Sequence, residues 1–250
     1  LEFRRVLFRS VEIVESIAVR FAGDSGDGSQ LIGNEFANTS AIQGNDISTL
    51  PDYPAEIRAP AGTLPGVSAF QVHLSSKEIY TPGDAPQVLV AMNPAALKAN
   101  ISDLPAGGVL IVNTDNFTRN NLRKAGYEED PLEDGSLSAY RVAKVPLTTL
   151  HKEAVKDVEG LSNRQVDMMK NMFGLGLAYW IFDRPLEPTI RMLEKKFASR
   201  PEIVDGNTKT MKAGFNFGET TEQFQHRYRV TKAPVEPGTY RAVNGAQAAA

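Results

Sequence analysis

RFAGDSGDGSQLIG, Arg20 to Gly33, sets Gly23, Gly26 and Gly28 between a short apolar run and an amphipathic stretch, with Asp24 and Asp27 among them. Upstream, Ile17, Val19 and Phe21 alternate with the period of a strand. Downstream, Leu31, Ile32, Phe36, Ala37 and Ala41 recur at helical spacing, and Gly44 supplies a stop. Strand, glycine loop and helix in that order suit a phosphate, because glycine permits the turn and the helix start presents free N–H groups. The spacing is G-x-x-G-x-G, however, whereas nicotinamide enzymes carry G-x-G-x-x-G, and no Lys–Ser/Thr pair comes after it as in a P-loop. Asp24 and Asp27 would repel a bare pyrophosphate unless they point away or cap the helix or its turn, where negative charge is favoured. Asp46, about 20 positions on, is the acid that a ribose would need. From these residues alone a structural tight turn, a dinucleotide site and a site for another phosphate-bearing ligand all stay open.

The 250-residue chain reads as α/β, with room for one large domain or two small ones. Residues 46–66, rich in proline and glycine, are expected to form a long ordered loop with little regular structure. Within it Arg58 has the fork geometry for phosphate or carboxylate, or pairs with Glu56 to pin the loop. VSAFQVHLSS alternates, with Val67, Ala69 and Gln71 on one face and Phe70, Val72 and Leu74 on the other. QVLVAM and GGVLIVN are continuous apolar runs, as in buried strands of a largely parallel sheet, with a helix around 94–101 between them. LSAYRVAKVP is a further strand and 149–158 a helix. Residues 163–182 make the longest helical segment, in which Gly174 and Gly176 are expected to permit close packing. Helices around 186–200 and from near Asn207 come next, and 226–238 turns polar and proline-bearing, as a linker or strap.

Several classes are excluded. The chain has no cysteine, so it forms no disulfide, thiolate nucleophile or Cys-ligated iron–sulfur cluster of its own. Its net charge of -3 gives no broad attraction to nucleic acid, and no apolar stretch approaches the roughly 20 residues that span a bilayer. His73, His151 and His226 show no metal spacing and read as structural; Trp180, Tyr179 and Phe182 read as core, and Met168, Met169 and Met172 as helix packing. Residues 1–10, LEFRRVLFRS, have no helix or strand pattern that joins well to the first strand, and are expected to be a non-native leader. NGAQAAA at the other end reads as the opening of a helix that belongs to a further domain.

Four stretches in order, FAGDSGDGSQLIG, YPAEIRAPAGTLPGVSAFQVHLSS, NRQVDMMKNMFGLG and NTKTMKAGFNFG, resemble the gamma domain of the 2-oxoacid:ferredoxin oxidoreductases. The likeness is to the type in which gamma and alpha domains are fused in one subunit, and the acidic GDSGDG version is similar to the 2-oxoglutarate enzymes. Ser25 stands where many members have the second glycine of G-x-G-G-x-G. Glu56 and Arg58 match the family's E-x-R, Ala59 and Pro60 depart from its double glycine, and His73 replaces an arginine. Asn171 and Gly174 fall in its N-M-x-x-L/G element. PGTYRAVNGAQAAA is similar to the first motif of the alpha domain.

The resemblance implies a Rossmann-like gamma domain over 11–225, with helices on both faces of the sheet, a linker over 226–238, and the start of a thiamine-pyrophosphate-binding alpha domain over 239–250. It implies a cytoplasmic complex with a beta subunit, arranged as a dimer of alpha–beta units, and with ferredoxin as acceptor. That complex converts a 2-oxoacid and coenzyme A to acyl-CoA and carbon dioxide. Thiamine pyrophosphate, Mg2+ and a [4Fe–4S] cluster belong to the complete complex, and no catalytic or metal-binding residue is expected here. Coenzyme A contact is expected at Gly23, Ser25, Gly26, Gly28, Glu56, Arg58, Thr63 and Ser68. The competing reading is a stand-alone Rossmann-like nucleotide-binding module without redox work.

Overall fold

The computed structural model describes residues 10–238 apart from positions 27, 57, 225, 235 and 237. In chain order its elements are β1 (Ser10–Val14), β2 (Ser16–Asp24), α1 (Ser29–Ile42), β3 (Asp46–Asp52), β4 (Val67–Ser75), β5 (Val88–Ala91), α2 (Pro94–Asn100), β6 (Val109–Asn113), α3 (Arg119–Lys124), β7 (Arg141–Val145), α4 (Leu147–Val155), α5 (Asn163–Ile181), α6 (Glu187–Lys196), α7 (Pro201–Thr220) and β8 (His226–Val230). Short 3-10 turns join several of them.

Six strands form one sheet in the order β3-β4-β2-β5-β6-β7. β2, β5, β6 and β7 run parallel, but β3 and β4 are antiparallel to their neighbours. The sheet is therefore mixed rather than largely parallel. The reason lies in residues 46–66, where part of the expected loop is β3. Without a crossover helix between β3 and β4, only an antiparallel pairing is within reach. Pro51 masks the strand in the sequence, and it is tolerated because β3 lies at the sheet edge.

Strand alternation divides the core into two layers. Val19, Phe21, Val88, Val90 and Ile111 face α1 and α5, while Ala22, Leu89, Ala91, Leu110 and Val112 face the alanines of α2. The faces read for β4 hold, with Phe70, Val72 and Leu74 in the first layer and Val67 and Ala69 in the second. Gln71 joins a polar cluster on the second side. It accepts from Arg20 Nε at 2.9 Å, and Arg20 Nη1 also reaches Asn100 Oδ1 at 3.2 Å and pairs with Asp103. On the first side α5 is buried from Asn171 to Ile181, and α7 packs along its outer flank. α7 begins at Pro201, earlier than expected, because proline serves the first turn of a helix.

The end of α5 carries a further device. Asp183 sits at φ 54, the left-handed conformation usually left to glycine. Its N–H donates to Trp180 O at 3.3 Å and the Arg184 N–H to Tyr179 O at 2.7 Å, which closes a Schellman turn. The Asp183 carboxylate accepts Arg227 Nη2 at 2.8 Å and Arg229 Nε at 2.7 Å. Both arginines lie on β8, which pairs in parallel with β1 in a separate two-stranded sheet. Residues 226–230, read as the opening of a linker, are thus a strand with Tyr228 and Val230 in the core. Ser10, read as the last leader residue, begins the partner strand. Positions 1–9 and 239–250 lie outside the described residues.

His151 is fully buried, as a structural histidine should be. Its Nε2 lies 2.7 Å from Val166 O and its Nδ1 3.1 Å from Thr210 Oγ1. Burial pulls its pKa below the 6.5 of free imidazole; Lys152 and Lys170 add to this, and the Val166 carbonyl and Asp167 oppose it. Both folded and unfolded His151 are neutral well above pH 6.5. As pH falls through that value the unfolded chain takes up a proton first, so stability is lost on the acid side. The urea midpoint is expected to fall between about pH 7.5 and 5.5, and less steeply in His151→Gln. Parallel slopes would show that another group carries the effect.

Candidate functional site

β2 and β5 lie side by side and parallel, yet the chain leaves β2 for α1 on one face of the sheet and leaves β5 for α2 on the other. Such a switch point opens a crevice beyond the C-terminal ends of the strands. The glycine loop stands in it. Gly23 is still inside β2, paired with Ser68. Gly26 and Gly28 have φ 104 and 77, which only glycine adopts freely. A side chain at Gly26 would meet nothing within 4 Å, so this stretch of backbone is open to a ligand. Gly28 is the N-cap of α1, and among the described residues no side chain caps the helix. The first-turn N–H groups therefore face water or a ligand.

Asp24 answers the question of charge. Its Oδ2 accepts the Gly62 N–H at 2.8 Å, and the Ser25 N–H donates to Gly66 O at 3.0 Å. The acid therefore ties residues 53–66 over the end of β2 rather than capping α1. Asp27 lies outside the described residues. Lys124 of α3 holds the same loop through Ala61 O at 3.3 Å.

The other expected positions divide. Ser68 is buried and donates to Asp52 O at 3.1 Å, while it accepts from Ser29 Oγ at 3.2 Å and Gln30 Nε2 at 3.1 Å. It stitches α1 to β3 and β4, with its one proton engaged inside the fold. The Thr63 hydroxyl donates to Pro60 O at 2.7 Å within its own turn. Glu56 and Arg58 are exposed on this loop, and among the described residues no ion pair joins them. Asp46 aligns with Ser75, and Ser75 with Ser16, so it sits at the opposite end of the sheet from the loop. It is not the ribose acid. Its Oδ2 accepts the Ile79 N–H at 2.7 Å instead.

The sequence singled out Asn171 only by resemblance, as part of the N-M-x-x-L/G element, and gave no contact with the glycine loop. The structure packs its buried amide against Gly28, where Nδ2 would lie 2.0 Å from any Cβ at that position. Asn171 Nδ2 donates to Met168 O at 3.2 Å, and its Oδ1 is buried with no partner among the described residues. A lone asparagine so far along the chain gives no local signal of such a contact. The open backbone at Gly26 and the first turn of α1 lie at this end of the sheet, and Arg58 is exposed on the loop that Asp24 ties down. Among the described residues no group of three or more His, Cys, Asp or Glu could hold a metal ion, and no helix is long and apolar enough to cross a membrane.

The family model for pyruvate ferredoxin/flavodoxin oxidoreductase matches residues 18–217. The 2-oxoglutarate oxidoreductase subunit KorA of Mycobacterium tuberculosis is 53% identical over 232 residues, covering 93% of this chain and 35% of that protein. The 2-oxoglutarate synthase subunit KorC of Methanothermobacter marburgensis is 31% identical over 139 residues, 55% of this chain and 67% of that one. The chain thus spans about a third of the length of the Mycobacterium relative. Among solved structures, a 2-oxoglutarate:ferredoxin oxidoreductase from Magnetococcus marinus, with 2-oxoglutarate, coenzyme A and succinyl-CoA bound, superposes with a TM-score of 0.68. That match is 22% identical and covers 88% of this chain and 34% of the other, and it carries the fold alone.

Proposed function

The chain belongs to the 2-oxoacid:ferredoxin oxidoreductase family, and on that premise we propose that it is the gamma portion of a subunit of the 2-oxoglutarate type. The complex it serves converts 2-oxoglutarate and coenzyme A to succinyl-CoA and carbon dioxide and reduces ferredoxin. The observation that carries its own role is the uncapped α1 behind an open glycine loop at the switch point. This chain binds and orients coenzyme A. The helix amides and the backbone around Gly26 and Gly28 take up phosphate oxygens, and Arg58 adds a charge-assisted contact from the loop above. Asp24 holds that loop over the crevice, and Ser25 reinforces it through its backbone. Ser68 and Thr63 keep α1 and the loop in shape rather than touching the ligand.

Thiamine pyrophosphate with Mg2+ and a [4Fe–4S] cluster supply the decarboxylation and the electron path in the complete complex. The chain has no cysteine with which to hold a cluster, so those groups come from the alpha domain and the beta subunit, in a cytoplasmic dimer of alpha–beta units. Titration of coenzyme A into the intact complex tests the role. Arg58→Ala is expected to weaken binding about tenfold or more, the scale of one hydrogen bond to a charged group, roughly 1.5–3 kcal/mol. Equal affinities would remove Arg58 from the ligand. Turnover of the complex on 2-oxoglutarate against pyruvate tests the substrate separately.

A further inference from the structure

α1, α5, α6 and the start of α7 leave a cavity of about 210 Å3 between them. Four of the chain's six methionines line it, three from α5 and Met192 from α6. Leu31 closes the α1 side, and Met168 and Leu31 are exposed at the mouth. Methionine is unbranched and polarizable, so such walls adapt to a flexible chain better than to a rigid ring. The charge at this pocket is one-sided. The charged residues among its lining are Lys196 and Arg200, both basic and both exposed. Lys196 lies over the Phe197 ring at 5.6 Å, and Arg200 reaches Glu202 only at 3.6 Å. Half-buried Glu35 is the acid that feels Lys196, so each cation has an acid nearby but neither acid is among the residues that line the pocket.

We propose that this cavity is a binding site for a medium-chain acyl carboxylate, with the alkyl chain among the methionines and the carboxylate between Lys196 and Arg200. Four helices and the connection between α6 and α7 line it as a concave, mostly apolar site of the kind that takes a small molecule. At roughly 30 Å3 per water-sized group, its volume holds about seven methylenes. The site is independent of the coenzyme A reading, since it uses neither the glycine loop nor Arg58.

The test is titration of the 250-residue chain, labelled at its methionine methyls, with octanoate, octylammonium and acetate. Octanoate is expected to give saturable shifts at Met168, Met172 and Met192 but not at Met92, which is buried just past β5. Acetate and octylammonium are expected to give none. Met192→Trp fills the cavity and removes the octanoate shifts. The surface pair Lys196→Glu with Arg200→Glu weakens octanoate at least tenfold and admits octylammonium. The proposal is overturned if octanoate gives no saturable shift, if octylammonium binds the wild type equally well, or if charge reversal leaves octanoate affinity unchanged.

Discussion

Replacing Gly176 by alanine is expected to destabilise the chain by about 3 kcal/mol or more, against a gain from helix propensity of only about 1 kcal/mol. The added Cβ would stand 1.9 Å from Met211 O and 2.8 Å from its carbonyl carbon, far inside van der Waals contact. Both are backbone atoms of α7, so no rotamer change relieves the overlap and the two helices must part. Gly214 makes the reciprocal approach, with its Cβ position 2.0 Å from Phe173 O. α5 is the buried centre of the larger core layer, so the displacement reaches the sheet. Gly174, two residues away, is the control. Its Cβ position meets nothing closer than Ile32 at 3.7 Å, so Gly174→Ala is expected to stabilise by about 0.5–1 kcal/mol through propensity alone. Urea midpoints of the two variants decide the matter. A Gly176→Ala chain as stable as the wild type would sink the close-packing account.

Gly28→Ala is expected to cost about 3 kcal/mol and to lower coenzyme A affinity of the intact complex at least tenfold. Two effects add. A left-handed backbone costs a residue with a Cβ roughly 1–2 kcal/mol, and the new methyl overlaps the buried amide of Asn171, 2.0 Å from Nδ2 and 2.5 Å from Cγ. Either the amide moves or α1 tilts, and a tilt re-aims the helix amides at the crevice. A double-mutant cycle with Asn171→Ala separates the terms. Truncation of Asn171 should recover the steric part and leave the backbone part. Lost stability with unchanged coenzyme A affinity would confine the loop to shaping the domain.

Much of the scaffold was legible because its signals are local. Alternation in 17–21 and 67–74 marks both the strands and the faces of β2 and β4, and the apolar runs mark β5 and β6. The run from Leu31 to Ala41, stopped by Gly44, marks α1. β3 was not legible, because Pro51 and the glycines beyond it obey turn rules until one knows that the strand lies at an edge. β8 and β1 were hidden for another reason. Each is short, β8 is mostly polar, and their pairing joins distant parts of the described chain, Ser10 with His226 and Val14 with Val230. At the site, the positions of Gly26 and Gly28 were readable, but the work of Asp24, Ser68 and Asp46 was not. A carboxylate or hydroxyl has the same local signature whether it faces a ligand, a loop amide or the far end of a sheet.

The linear chain is enough to assign β2, β4, β5, β6, β7 and the longer helices, the inward faces of β2 and β4, the absence of cysteine chemistry, and the family likeness carried by four ordered motifs. It takes the folded molecule to show that the sheet is mixed, that Gly176 and not Gly174 lies at the helix contact, and that Asp24 holds the loop over the crevice. Hydrophobic period and turn chemistry are properties of neighbouring residues and survive in an unfolded chain. Strand order, helix approach and the partner of a buried polar group depend on contacts between distant segments, which exist only once the chain has closed on itself.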